Sequence, residues 1–480
     1  MVSIVLVPVI VFRLGAESFG VLVLVTAIVG YFGVLDINAG VATIRHVAAH
    51  HATGARRAMG EVFGFGLLVY GVIGLVGSVS IYLSAEWLVS GPFNIPEAMQ
   101  PAAALALQWA GLGFLVGQFQ ALLQSTLHGL QRYDLTAAFE ATFGTVAPLA
   151  AIAVVLVGGG LAQVVAVRVG VSVIQVLLLF VLLRQTMPST SAHWPGAQTV
   201  RSMLGFCAYA YLSKLSMVAA ANTDKLIIAA LVDVKALALY AVPLTMVSRL
   251  YGMAARLPQV ILPAASAMHT AERHKQLAGT YLEASRLYAF LTLTLTALLV
   301  SVAPELLRYW VGPAFGHEAV LVLVCLAVAF FVDALTSVPA LVNDGMGRPR
   351  YTGMAAFLRA LVGMSAAYAG VRLFGIVGTG YAQLCVSALA TTLFVGILHR
   401  LGMPATLADW SRAVLLPMWV PGLAIPALAA WSLGRAPLSL VGAALLLVGV
   451  ASLLAIYGWR VVAWPERRAQ VTRMLVTRFS

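Results

Sequence analysis

Apolar runs of about twenty residues recur along this chain, separated by short polar connections. A helix rising about 1.5 Å per residue needs about 20 residues to cross a hydrocarbon core of about 30 Å. Runs of that kind lie near 18–38, 62–84, 104–127, 136–158, 161–183, 204–231, 236–255, 286–307, 318–342, 351–371, 375–398, 412–432 and 438–462. A shorter apolar stretch, Met1 to Phe12, precedes them. No Lys or Arg stands before its apolar residues, so it does not read as a cleaved signal peptide. It reads as a first span abbreviated at its start. The predicted fold is an all-α polytopic membrane protein with about 14 transmembrane helices.

Composition sharpens this picture. Of 480 residues, 61% are hydrophobic and only 10% charged, against about 25% charged in a soluble domain. The net charge of +12 would suit nucleic acid if read alone, but its distribution argues otherwise. With 14 crossings and a cytoplasmic start, 19 Lys and Arg fall on the cytoplasmic side, 5 on the other and 5 inside spans. That positive-inside bias predicts both termini in the cytoplasm and attraction to anionic lipids, with no nucleic-acid partner. The longest connection, about 256–285, reads as an amphipathic cytoplasmic segment at the interface, and the tail after Trp459 as a basic, surface-lying or solvated segment. Cys207, Cys325 and Cys385 lie far apart in apolar runs and read as small buried hydrophobes.

The chain also echoes itself. HGLQRYDLTAAFEA from His128 and DGMGRPRYTGMAAFLRA from Asp344 occupy the same topological place, with Tyr133 and Tyr351 218 positions apart. GAESFG, ending at Gly20, has a weaker counterpart in DVKALALY, ending at Tyr240. Both offsets equal about six spans. The expectation is two pseudo-symmetric six-helix lobes, 1–200 (first helix abbreviated) and 201–400, two further helices over 401–462 and a basic cytoplasmic tail over 463–480. Parallel repeats of this kind are a transporter plan with the substrate path between the halves.

Charge at membrane depth marks candidate chemistry. Lys214 lies about 10 residues into its span, and Asn222, Asp224 and Lys225 follow. Lys214 and Lys225 are 11 residues apart, which at about 100° per residue returns to nearly the same helix face. Arg249, Arg168 and Arg359 add positive charge, the last two either facing a cavity or snorkelling to an interface. The interior acids are Glu140, Asp224 and Asp333. An ionisable group at the bilayer centre costs at least about 2.5–3.5 kcal/mol, so such groups face the bundle interior or a wet cavity. A net positive cavity suits an anion such as a diphosphate. Asp224 points about 100° away from Lys225, leaving each free to meet a neighbouring helix. Asp36, in VLDINAG, stands where its span ends and is expected to cap the segment carrying Thr43, Arg45, His46, His50 and His51, which reads as headgroup-facing. The histidines show no ordered metal-ligand set, and no metal or other cofactor is expected. Arg132, Arg348 and Arg350 read as cytoplasmic anchors and gate contacts, with Asp36 grouped among them.

The segments RLGAESFG at 13–20, LDINAGVATIRHVAAH at 35–50, GLQRYDL at 129–135, NTDKLIIAALVDVKALALYAVP at 222–243 and GMGRPRY at 345–351 run in order over nearly the whole chain. Together they resemble the polysaccharide exporter and O-antigen flippase branch of the multidrug/oligosaccharidyl-lipid/polysaccharide (MOP) superfamily. The resemblance implies an inner-membrane protein that moves polyprenyl-diphosphate-linked oligosaccharide from the cytoplasmic to the periplasmic leaflet for polysaccharide or O-antigen biosynthesis. It implies a central cavity lined by basic residues, to which Arg45, Asp224 and Lys225 match by position. Lys214, Lys225 and Arg249, with Arg45, Asp224 and Arg359, are then the expected substrate-binding set. Membrane lipids, a counter-transported ion, a polysaccharide polymerase and glycosyltransferases are the expected partners. No GxxxxGK[ST] loop is present, so energy would come from an ion gradient, the membrane potential or product withdrawal. The alternative is a multidrug or metabolite antiporter of the same fold, coupled to a cation through an acidic site of Glu140 and Asp36. A membrane glycosyltransferase would need catalytic acids and a sizeable loop that the chain lacks, so no enzyme is expected.

Overall fold

The computed structural model describes residues 2–187 and 192–462; the tail expected over 463–480 lies outside them. The protein is an all-α polytopic membrane protein. Among the described residues, 11 helical segments are long and apolar enough to cross a membrane. The chain divides into two compact units, 1–241 and 242–480.

The first unit contains α1 (Val2–Phe32), α2 (Ala39–Ala52), α3 (Arg56–Ser90), α4 (Gln100–Gly129), α5 (Tyr133–Leu156), α6 (Leu161–Thr186) and α7 (Ala197–Leu231). Then α8 (Val234–Ala254) runs from the first unit into the second. The second unit continues with α9 (Ile261–Thr270), α10 (His274–Ser301), α11 (Ala303–Val311), α12 (His317–Ala334), α13 (Ser337–Gly345) and α14 (Pro349–Arg400). It ends with α15 (Leu407–Trp410), α16 (Leu416–Gly434) and α17 (Leu440–Tyr457).

Glycines divide two of the long helical stretches where the sequence expects connections. In α1, Gly15 has φ 88° and ψ 163°, separating the short first stretch from the next. In α14, 52 residues would extend about 78 Å as one straight helix. Gly375, at φ 59° and ψ −143°, instead folds it into two arms. The arms lie side by side: Arg348 at one end donates to the Leu401 carbonyl beyond the other (2.7 Å). A Cβ on Gly378 would stand 1.8 Å from the Gly370 carbonyl oxygen, so only glycine admits this closeness.

Two connections read as interfacial contain short helices with one buried face. α2 was expected to face headgroups, yet Ala39, Ala42, Thr43 and Val47 are buried, and α2 packs on α3, α4 and α7. Its small side chains let backbones approach, while Arg45 lies on the exposed face. Likewise α9, inside the segment expected to be amphipathic and interfacial, buries Ile261 and Ala265 and packs on α13 and α10. Each of these short helices follows a 3-10 turn, Gly33–Leu35 before α2 and Leu257–Val260 before α9.

The same helix-ending turn occurs at four predicted cytoplasmic positions, after α2, α4, α9 and α13. Gly54, Gln131, Glu272 and Gly347 all have positive φ. Each donates its N–H to the carbonyl three residues back, and the following residue to the one five back: Gln131 to His128 (2.9 Å) and Arg132 to Leu127 (3.0 Å), Gly347 to Asp344 (3.0 Å) and Arg348 to Asn343 (3.1 Å). This double bond pattern satisfies the carbonyls orphaned at a helix end. The offsets between the halves are 218 for Gly54 and Glu272 and 216 for Gln131 and Gly347. Tyr133 and Tyr351 are therefore not in register with their turns: Tyr133 follows its turn residue by two positions and Tyr351 by four.

The segment leading into α7 lies along α3. His193 donates its N–H to the Gly60 carbonyl (3.0 Å), and its own carbonyl oxygen would stand 2.0 Å from a Cβ at Gly64. The Glu61 carboxylate accepts from the Thr199 hydroxyl (2.8 Å) and the Gly196 N–H (3.4 Å).

In the second unit, buried Glu305 of α11 takes a two-pronged contact from Arg435 and accepts from the Leu438 N–H (2.6 Å), fastening the α16–α17 connection. Burial alone would raise this carboxyl, but the bonds from Arg435 and Leu438 outweigh it and hold it below the ordinary range. Arg435→Met leaves the buried Glu305 carboxylate without its cation, with only the Leu438 N–H still donating to it, and is expected to cost about 3–5 kcal/mol of stability. A depressed carboxylate contributes stability that is complete above its unfolded value near 4.5 and lost as pH falls through its lower folded value. The thermal-unfolding gap between wild type and Glu305→Gln is therefore expected to be wide at neutral pH and to close below about pH 4. A gap independent of pH would remove Glu305 from this account.

Candidate functional site

The first unit carries a polar break between α1 and α2. A helix interrupted inside a membrane exposes N–H and C=O groups that cost several kcal/mol each unless partners are supplied. Here one face of α7 supplies them. Tyr211 donates its hydroxyl to the Val34 carbonyl (2.8 Å). Three residues on, the Lys214 ammonium donates to Asp36 Oδ2, while Asp36 Oδ1 accepts the Asn38 N–H (2.9 Å). Asn38 has φ 63° and ψ 34°, the left-handed conformation that redirects the chain into α2. Gly33 faces Val218 of α7, whose nearest methyl would meet a Cβ there at an ordinary contact distance of 3.6 Å.

This break lies well inside the bundle. The first turn of α2 meets the hydroxyl of Tyr70, a fully buried side chain that also bonds Ser125. Tyr70 is 14 residues, about 21 Å, from the start of α3. Midway along α2, His46 reaches the Ser202 hydroxyl near the start of α7 (3.2 Å). Asp36 and Lys214 keep 12% and 19% of their side-chain surface. The pair is thus screened from bulk water but not sealed.

Further along α7, Asp224 Oδ2 accepts from the Tyr240 hydroxyl of α8, and Oδ1 accepts the Lys225 N–H (2.8 Å). The Lys225 ammonium stands 3.9 Å from Asp224 and donates to the Ala221 carbonyl. Asp224 therefore meets a neighbouring helix, while Lys225 turns back on its own. Asn222 fills the notch at Gly30 of α1, where a Cβ would come within 2.8 Å of the amide oxygen.

In the second unit, Arg359 donates to Asp333 and to the Ser387 hydroxyl (3.1 Å). Arg359 lines a cavity of about 150 Å³ with Thr336, Thr352 and Thr391. Arg249 is exposed on α8 and forms no ion pair among the described residues. Arg132 grips Asp134 through two bonds of 3.0 Å. Arg350 lies over the Tyr351 ring, 4.9 Å from its centroid. Arg168 and Glu140 are both exposed on their helices.

Of the candidates, the structure brings Lys214 to Asp36 and Lys225 to Asp224, and gives Arg359 the acid Asp333. These cations are members of acid–base pairs, not free positive charges. An anion entering such a site competes with a resident carboxylate, so binding is coupled to opening a pair. Sequence reasoning missed Tyr211 and Tyr240, the hydroxyls that complete the two α7 sites. Their signal was weak but present: Tyr211 is three residues before Lys214, and Tyr240 ends the DVKALALY segment.

The model of the family described as polysaccharide biosynthesis protein matches residues 12–318, well over half of the chain. The chain belongs to that family. No curated protein is detectably similar to this chain in sequence. Among solved structures, lipid II flippase MurJ in an inward closed conformation matches with TM-score 0.73 and 10% identity, covering 96% of each chain. An inward-facing multidrug resistance MATE family transporter of the MOP superfamily matches with TM-score 0.71 and 15% identity, covering 89% of this chain and 95% of that one. A MOP superfamily transporter from Pyrococcus furiosus matches with TM-score 0.50 and 14% identity over 89% of this chain and 96% of its own. These likenesses show that the chain shares the fold of those transporters.

Proposed function

We propose that this protein is a membrane transporter that flips polyprenyl-diphosphate-linked oligosaccharide from the cytoplasmic to the periplasmic leaflet of a bacterial inner membrane. Family membership gives the polysaccharide context, and the observation that carries the reading is the Lys214–Asp36 pair at the α1–α2 break. Interrupted helices carrying polar groups at membrane depth are where transporters of repeated architecture bind cargo. In this reading the diphosphate draws Lys214 away from Asp36, and Lys225, Arg45, Arg249 and Arg359 serve the same anionic head at other stages. Arg132, Arg348 and Arg350 hold the cytoplasmic turns. The architecture is 14 spans, two six-helix repeats and a C-terminal pair, with both termini cytoplasmic. It is supported by the glycine divisions at 15 and 375, by the length of α7 and by the recurrent turns. Glycosyltransferases would supply the cargo and a polymerase consume it. Outward movement of negative charge across an inside-negative membrane is favoured by about 2.3 kcal/mol per charge per 100 mV.

The second reading, a cation-coupled drug or metabolite antiporter, is favoured by one observation, the exposed carboxylate of Glu140 on α5. Against it, Asp36 and Asp224 are already engaged by Lys214 and Tyr240. Reconstitution separates the two. Liposomes holding the purified protein are expected to bring a fluorescent polyprenyl-diphosphate glycan within reach of an external quencher, at a rate unchanged by Glu140→Gln. Cation-dependent uptake of a cationic dye, abolished by Glu140→Gln and with no lipid movement, would replace the flippase by the antiporter.

A further inference from the structure

The two arms of α14 are tied at both ends and parted between. At the Gly375 fold a Cβ on Gly370 would fall 2.3 Å from the Gly378 carbonyl oxygen, so the arms touch there. At the far end Arg348 reaches the Leu401 and Gly402 carbonyls (2.7 and 3.4 Å). Between these ties the small side chains of Ala355 and Ala390 leave a gap.

The gap opens on two faces. One is a groove of about 230 Å³ walled by Met354, Leu358 and Val362 of the first arm and Leu389, Leu393 and Ile397 of the second. All six are exposed, so in a membrane this face meets hydrocarbon. The other is the cavity of about 150 Å³ that carries Thr336, Thr352 and Thr391. Ala355, Arg359, Ala390 and Phe394 line both, so the two spaces adjoin across these four side chains.

Arg359 is the polar group at this junction. The three threonine hydroxyls already donate, to Asp344 and to the Asp333 and Val332 carbonyls. Arg359 spends only Nη2, on Asp333 and Ser387. Its Nη1 and Nε make no bond among the described residues, and the side chain keeps 30% of its surface. Asp333 lines neither space, and its second carboxylate oxygen is buried.

Depth and width narrow the ligand. Arg359 lies 10 residues into α14, about 15 Å along the helix and so near the middle of a hydrocarbon core about 30 Å thick. The phosphate of a resting bilayer lipid stays at the water interface. A phosphate this deep, with its chain in the adjoining groove, belongs to a lipid whose head is being carried across. From Tyr351 to Val362 the groove extends about 16 Å, and about 230 Å³ over that length leaves a cross-section of about 14 Å², room for one chain and not two.

We infer that the framed gap in α14 is a side window for the cargo lipid, holding its polyprenyl chain between the arms while its diphosphate meets Arg359. The window places the tail of the proposed cargo, and so rests on the flippase reading.

The test uses the full chain in liposomes and a polyprenyl-diphosphate glycan bearing a diazirine in its chain, with labelled residues mapped by mass spectrometry. Label is expected on 354–362 and 386–397, displaced by excess unlabelled glycolipid and not by equal phosphatidylglycerol. Ala390→Trp, which fills the gap, is expected to lower both this label and transfer about tenfold or more, the scale of about two methylenes kept from burial. Val448→Trp, on the exposed face of α17, is expected to change neither. Label spread over all lipid-facing helices, or label displaced equally by phosphatidylglycerol, overturns the window, as does a folded Ala390→Trp that transfers at the wild-type rate. Wild type that moves lipid without label in α14 loses the window and keeps the flippase reading. Wild type that takes displaceable label there and moves no lipid keeps the site and loses the reading.

Discussion

Lys214→Met alone is expected to reduce lipid-linked glycan transfer by about 100-fold or more, the scale of losing a contact of about 2–5 kcal/mol to a charged ligand. It is also expected to lower the unfolding temperature, because it leaves the Asp36 carboxylate without its cation in a site with little water. Removing one partner of a buried pair typically costs about 3–5 kcal/mol, whereas replacing both with apolar or neutral groups is often close to neutral. The double variant Asp36→Asn, Lys214→Met is accordingly expected to regain most of the lost stability. The Asn38 N–H can still donate to the amide oxygen that this substitution leaves at position 36, so the turn survives. Transfer is the deciding measurement. If the ammonium receives the cargo phosphate, the stabilised double variant remains inactive. If Lys214 only staples α7 to the break, the double variant flips lipid at a rate near wild type and the cargo role is lost.

Gly20→Ala is expected to be the most damaging single methyl addition in the first unit. Its Cβ would fall 1.8 Å from the Val234 carbonyl oxygen, and neither backbone can yield without displacing a helix. The expected loss is at or above the upper end of the about 1–3 kcal/mol typical of overpacking, seen as little folded protein on size exclusion in detergent. Two controls bracket it. Gly30→Ala meets the Asn222 side chain at 2.8 Å, which can swing aside. Gly71→Ala meets nothing within 4 Å and is expected to gain up to about 1 kcal/mol of helix propensity. Equal stability of all three variants would show that the α1–α8 approach is looser than described.

Much of the transmembrane pattern was legible because hydropathy is a local property. The divisions at Gly15 and Gly375 fell between apolar runs, and the charges on α7 stood out against their neighbours. The α1–α2 break was not legible, since GVLDI continues an apolar run and its single acid resembles an end cap. Its meaning depends on Lys214, 178 positions away. α2 misled for a related reason. Arg45 and three histidines suggest a solvated surface, but the opposite face carries Ala39, Ala42, Thr43 and Val47, whose small size serves close packing and leaves little hydropathy signal. The segments GAESFG and DVKALALY echo one another across the expected repeat. The structure places Gly20 against Val234, so those segments touch one another. The αL turns escaped notice because the halves use different residues, Gly54 against Glu272 and Gln131 against Gly347. In those turns hydrogen bonding, not glycine, is the common requirement.

The lashing of His193, Gly196 and Thr199 to Gly60, Glu61 and Gly64 has a mechanical consequence. A lever needs an anchored end, and these bonds clamp the base of α7 to α3 while its middle grips the interrupted stretch of chain at Val34 and Asp36. Displacement of the clamped end would be transmitted along a stiff rod to Tyr211 and Lys214, about 20 Å away. A modest shift at the membrane edge would then reach the interrupted segment as tension, where unwound backbone is the most compliant element.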